Sequence, residues 1–185
     1  MNPGAAVTRI EVFIGPFGSG KTEVVLNRAL SLAAGGEPVT FVDLDLVDPY
    51  FRGRQARGTL ETGGVTVVAP SPAYDEADLP VLTPEIFTAI RRPGRILVDA
   101  GGEAHGALAV RQLSHLLPPD AGVYLVINPY RPFMRTAEEI VQVAALIADA
   151  AGRSITAVVA NPNLAGDILP LQFHMLPFWE VPLHA

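Results

Sequence analysis

The stretch Gly15-Pro16-Phe17-Gly18-Ser19-Gly20-Lys21-Thr22 fits the pattern G-x-x-x-x-G-K-[ST] at every fixed position. Its surroundings agree with it. Ile10-Glu11-Val12-Phe13-Ile14 reads as a short apolar strand, and Val24, Val25, Leu26, Ala29, Leu30 and Ala33 recur at helical spacing until Gly35-Gly36. A strand feeding a glycine-rich turn and then a helix is an arrangement that binds phosphate. Glycines let backbone N–H groups wrap an oxyanion with no Cβ in the way, and the helix N-terminus adds partial positive charge. In such a loop Lys21 reaches the β- and γ-phosphates and the Thr22 hydroxyl holds Mg²⁺. The nucleotide-binding candidates are therefore Gly15, Pro16, Phe17, Gly18, Ser19, Gly20, Lys21, Thr22 and the adjoining Glu23. Lys21 is the one lysine in the chain, against twelve arginines. A compact ammonium suits a phosphate cradle.

The rest of the chain alternates strand and helix patterns. Residues 38–44, 65–69, 95–99, 123–127 and 155–160 read as further strands. Helices are expected from Thr83-Pro84-Glu85, with Thr83 as cap, over 104–117, and from the capping box Thr136-Ala137-Glu138-Glu139 to a stop at Gly152. Between them lie an acidic-then-basic loop over 43–54 and a proline-rich connection over 70–82. Nearly all-apolar strands alternating with helices imply a parallel sheet covered on both faces, with ligands beyond the carboxyl ends of the strands. The reading divides the chain into a loose leader (1–8), a nucleotide-binding domain (9–163) and an apolar, proline-containing tail (164–185).

A formal charge of −6 argues against a nucleic-acid footprint, which needs a basic patch. The absence of cysteine excludes disulfides and thiolate metal sites. No signal-peptide pattern opens the chain, and no run approaches the roughly 20 apolar residues that span a bilayer, so a cytoplasmic protein is expected. The tail carries no lysine or arginine, which argues against a basic membrane-binding helix. It reads as an extended segment on the sheet edge or a neighbouring helix, or else as a partner surface.

Three carboxylates sit at expected strand ends. Asp99, between Arg95-Ile96-Leu97-Val98 and Ala100-Gly101-Gly102, has the form of a Walker B aspartate that orders Mg²⁺. Asp43 and Asp45 are two apart and point the same way while the chain stays extended. Like charges so close call for a cation or a water network. One would help hold the Mg²⁺ shell and the other, Asp45 by preference, would orient the attacking water; an acidic turn before Pro49 is the alternative. The catalytic candidates are thus Lys21, Asp43 and Asp45, and the metal candidates Thr22, Asp45 and Asp99. Arg52, Arg54 and Arg57 would stabilise transition-state charge or line a solvated face. His105 reads as a γ-phosphate sensor or a surface histidine.

With these pieces placed, residues 9–166 resemble the MinD/ParA/CobQ-type branch of SIMIBI-class P-loop ATPases, within it a stand-alone bacterial group. The likeness rests on Gly-Pro-Phe-Gly-Ser-Gly-Lys-Thr-Glu (15–23), Asp-Leu-Asp-Leu-Val-Asp-Pro-Tyr-Phe-Arg (43–52), Val-Asp-Ala-Gly-Gly (98–102), Asn-Pro-Tyr-Arg-Pro-Phe (128–133) and Asn-Pro-Asn-Leu (161–164). The resemblance implies a three-layer P-loop NTPase fold with a mainly parallel central sheet and adjacent Walker A and B strands. It also implies ATP and Mg²⁺ as ligands, Asp43 and Asp45 as a hydrolytic switch, and Asn161 near the base. Pro16 stands where division- and partition-type members carry the extra lysine of their sandwich dimer. Guanine-specific relatives read the base with an Asn/Thr-Lys-x-Asp element, which a chain whose only lysine is Lys21 cannot have. The function expected is a Mg²⁺-dependent ATPase whose nucleotide state switches the loops 43–58 and 70–82 and so controls a protein partner, a second copy included. The alternatives are a small-molecule phosphotransferase and a non-hydrolysing scaffold.

Overall fold

The strand that carries the glycine-rich loop, β1 (Arg9–Gly15), lies inside a seven-stranded sheet with neighbours on both sides. The computed structural model describes residues 9–44, 53–69, 82–162 and 175–177, with backbone alone for 53–56, 103–104 and 175–177. In chain order the elements after β1 are α1 (Lys21–Ala34), β2 (Val39–Asp43), α2 (Gly53–Thr62), β3 (Thr66–Val68), α3 (Pro84–Ala89) and β4 (Arg95–Gly102). They continue with α4 (Glu103–Leu113), β5 (Gly122–Ile127), α5 (Ala137–Ala151), β6 (Ala157–Ala160) and β7 (Met175–Pro177). The sheet order is β3-β2-β4-β1-β5-β6-β7; every pairing is parallel except that of β7, which runs antiparallel to β6. The expected mainly parallel sheet is found, and β1 and β4 are adjacent, Val12 opposite Val98.

Alternation along β1 shows why the layers form. Ile10, Val12 and Ile14 point into a core shared with α3, α4 and α5, through Ile86, Val110 and Ile147 among others. Phe13 points the other way, to Val24, Val25 and Ala29 of α1 and Leu60 of α2. The result is three layers with apolar side chains on both faces of the sheet. Glu11 is the exception: it is 4% exposed on the α1 side. Arg28 of α1 donates to it through Nε and, at 2.8 Å, through Nη2, while Arg95 Nη1 donates at 2.9 Å. Arg95 also donates to Glu37, at 3.0 Å through Nη2. The Glu11 hydrogen bond holds the Arg28 guanidinium above its ordinary pKa.

The capping box at Thr136 is formed, with Glu139 N donating to Thr136 Oγ1 at 3.2 Å and Thr136 N to Glu139 Oε2 at 3.2 Å. Gly152 ends α5 at φ 63. Other boundaries need correction. Residues 53–62 are helical, not loop, because the run Gln-Ala-Arg-Gly-Thr-Leu is mostly made of helix formers and buries Leu60 against α1. β4 runs on to Gly102, α4 stops at Leu113, and Ile155 precedes β6. At α3, Thr83 occupies the cap position but caps with its carbonyl, which accepts from Ile86 N at 3.0 Å; its side chain makes no cap bond.

Candidate phosphate site

Parallel strands bring their carboxyl ends to one rim, where the glycine-rich loop, Asp43, Asp99 and Asn161 are found. β1 ends at Gly15, opposite Gly102 of β4 after a register shift. The loop that follows turns on itself, Ser19 N donating to Pro16 O at 3.2 Å. Gly18 at φ 75 and Gly20 at φ 79 hold left-handed conformations that other residues resist. Gly20 then serves as N-cap of α1, its carbonyl accepting from Val24 N at 3.1 Å. The amides at the start of α1 have no intrahelical partner by construction, so they and the helix dipole face this rim.

Lys21 is the first residue of α1 and only 7% exposed. Among the described residues no carboxylate forms an ion pair with it. Ser19 is fully buried, and among the described residues its hydroxyl has no hydrogen-bond partner. Thr22 is half-buried beside them; Phe17 and Glu23 are exposed, and Pro16 is half-buried. Asn161, just past β6, is 7% exposed and donates from Nδ2 to Ser19 O at 2.9 Å. It is thus tied to the glycine-rich loop from a strand two places away in the sheet.

Asp99 is 1% exposed, and its backbone is the register partner of Asp43 on β2. Leu44 N donates to Asp99 O at 2.9 Å, fixing the two strand ends together. Two carboxylates therefore stand on neighbouring strands, that of Asp99 next to β1, whose loop leads to Lys21. Asp45, Asp48 and Arg52 lie outside the described residues, as do the side chain of Arg54 and most of the 70–82 connection. Arg57 is exposed and lines a cleft of about 360 Å³ with Glu85 and Arg92 beside β3. His105 is exposed near the start of α4. Among the described residues no group of three or more His, Cys, Asp or Glu is placed to hold a metal.

Two contacts were not foreseen. A Cβ on Gly102 would stand 2.8 Å from Phe17 Cδ2, so the Phe17 ring covers the end of β4. A Cβ on Gly18 would stand 3.3 Å from Arg131 Nε and 3.6 Å from its Cζ, so this guanidinium lies against the loop. The segment 128–133 was noticed in the sequence, but its arginine had no assigned role. β5 beside β1 brings it here, with Leu125 paired to Ile14.

No protein-family model matches the chain, and no curated protein sequence does. Solved structures match in fold. The kinase domain of Escherichia coli tyrosine kinase ETK superposes with a TM-score of 0.58 at 17% identity, over 90% of this chain and 72% of that one. The BceF tyrosine kinase domain does so with 0.56 at 19% identity, over 83% and 69%. The signal recognition particle receptor FtsY from Elizabethkingia anophelis gives 0.54 at 16% identity, over 93% of this chain and 63% of its own. With its glycine-rich loop leaving a central parallel strand for a helix, the chain has the three-layer α/β fold of the P-loop NTPases.

Proposed function

We propose that the chain binds ATP with Mg²⁺ on the loop of residues 15–22 and hydrolyses it, as a member of the MinD/ParA-like branch, with the nucleotide state controlling a protein partner. The observation that carries this is Lys21. A buried ammonium without a carboxylate partner among the described residues is costly to desolvate, and it sits at a helix N-terminus behind two left-handed glycines. A polyphosphate would supply the missing counter-charge. The surrounding groups fit the same ligand. Thr22 and Asp99, with Asp45 from the neighbouring segment, would hold Mg²⁺, and a bound Mg²⁺ would neutralise charge on the transferred phosphoryl group. Asp43 and Asp45 would orient water, and Asn161 supports the loop while remaining a candidate for the base. A cytoplasmic location, and a partner that includes a second copy of the chain, belong to the same proposal. Among the described residues no helix is long and apolar enough to cross a membrane.

The test is calorimetry with ATP and GTP in the presence of Mg²⁺, on the wild type and Lys21→Ala, followed by phosphate release. Binding of ATP in preference to GTP is expected, weakened at least about tenfold by Lys21→Ala, with slow phosphate release to water. Absence of binding, or a Lys21→Ala variant that binds as the wild type does, overturns the reading. Phosphate passing only to an added acceptor would make the chain a phosphotransferase, and binding without turnover a scaffold.

A further inference from the structure

We propose that Arg131 is a second cation of the phosphate site, supplied within the same chain by the turn after β5 and directed at the polyphosphate of the bound nucleotide. The inference rests on the nucleotide reading above and adds to it a residue from outside the glycine-rich loop.

The first observation is position. The guanidinium lies against Gly18, where a Cβ would come within 3.3 Å of Nε, 3.6 Å of Cζ and 3.8 Å of Cδ. Gly18 therefore does two things: its left-handed φ of 75 shapes the loop, and its missing side chain makes room for Arg131. The second is how the arginine is held. Asn128, 2% exposed at the end of β5, accepts from Tyr130 N at 3.0 Å through Oδ1 and from Arg131 N at 2.9 Å through its carbonyl. This is a side-chain-braced turn, and Pro129 and Pro132 restrict the backbone on either side of Tyr130-Arg131. The arginine is thus presented from a built turn at the loop's edge.

The third observation is charge. Among the described residues no acidic side chain makes an ion pair with the exposed Arg131. An exposed guanidinium beside the loop that holds Lys21 would repel that ammonium unless an anion joined them. Lys21 alone does not neutralise a magnesium triphosphate, and a planar five-donor guanidinium matches phosphate oxygens in paired hydrogen bonds.

The experiment measures the Kd for ATP and, in parallel, GTP with Mg²⁺ for the full chain, Arg131→Ala and Arg131→Lys, with the melting temperature of each nucleotide-free protein. For the nucleotide the wild type binds, Arg131→Ala is expected to raise Kd about 10- to 100-fold with no change in nucleotide-free melting temperature. Arg131→Lys should recover part of the loss. A Kd within about twofold of wild type overturns the inference. So does a weakening that accompanies a lowered melting temperature and is not recovered by lysine, since that marks a structural prop. If the wild type binds and Lys21→Ala abolishes binding while Arg131→Ala does not, this inference alone fails. If the wild type binds neither nucleotide, the site reading itself fails, and the inference with it.

Discussion

Asn161 occupies the space that a side chain on Gly20 would need: a Cβ there would stand 2.2 Å from Asn161 Nδ2, the atom that donates to Ser19 O. The strand end after β6 thus props the loop after β1 through a single amide. Gly20→Ala meets both this contact and a φ of 79. It should cost about 1–3 kcal/mol of stability. Asn161→Ala leaves a buried carbonyl unpaired and should cost about 1–3 kcal/mol. Because the two residues compete for one volume, the double variant should be less destabilised than the sum of the singles in urea unfolding.

Asp43 and Asp99 face each other across β2 and β4, and Asp99 is almost fully buried. If a divalent cation offsets their charge, nucleotide in the presence of Mg²⁺ should stabilise the wild type by about 2.7 kcal/mol at a hundred times its Kd. Asp99→Asn should lose the Mg²⁺-dependent part of that gain while keeping the nucleotide-free fold. Thermal unfolding with and without Mg²⁺ and nucleotide reads both effects.

Glu11 holds Arg28 and Arg95 at once from the face of β1 that packs against α1. Removing one partner of a buried ion pair strands the others, so Glu11→Ala should cost about 3–5 kcal/mol. Glu37 is 44% exposed in its pair with Arg95, so Glu37→Ala should cost no more than about 1 kcal/mol. Chemical denaturation of the two variants should separate them clearly.

Tyr124 stacks beside Phe13 with ring centroids 5.3 Å apart. Burial, reinforced by the Glu11 charge, pushes its phenol above the ordinary 10.0. The folded state therefore holds this proton more tightly than the unfolded chain does. Its contribution to stability is complete below pH 10.0 and is lost as pH rises from there through the folded value. Tyr124→Phe should flatten that alkaline fall, and the phenolate absorbance of the wild type should titrate late.

The layered fold was legible because most strands are largely apolar and α5 carries its own start and stop; Thr136 with Glu139, and Gly152, are local chemistry that needs no tertiary context. The loop from Gly15 to Thr22 was legible for the same reason. The helix α2 was missed because charged and glycine residues mask Leu60, its one buried side chain among the described residues. Thr83 is the N-cap of α3 as expected, with Pro84 following, although its side chain makes no cap bond. Glu11 reads as part of an apolar strand because its partners, Arg28 and Arg95, lie 17 and 84 residues away. Arg131 and the bond from Asn161 to Ser19 share that difficulty: strand order, and not spacing along the chain, sets these neighbours.

Since β1 through β6 all run the same way, the sheet has two unlike margins: glycines and carboxylates at one, the Glu11, Arg28, Arg95 and Glu37 lattice at the other. Substitutions should therefore sort by depth along the strand axis. Those near the start of each strand should set how long the molecule survives heating, and those near its finish should set what it holds.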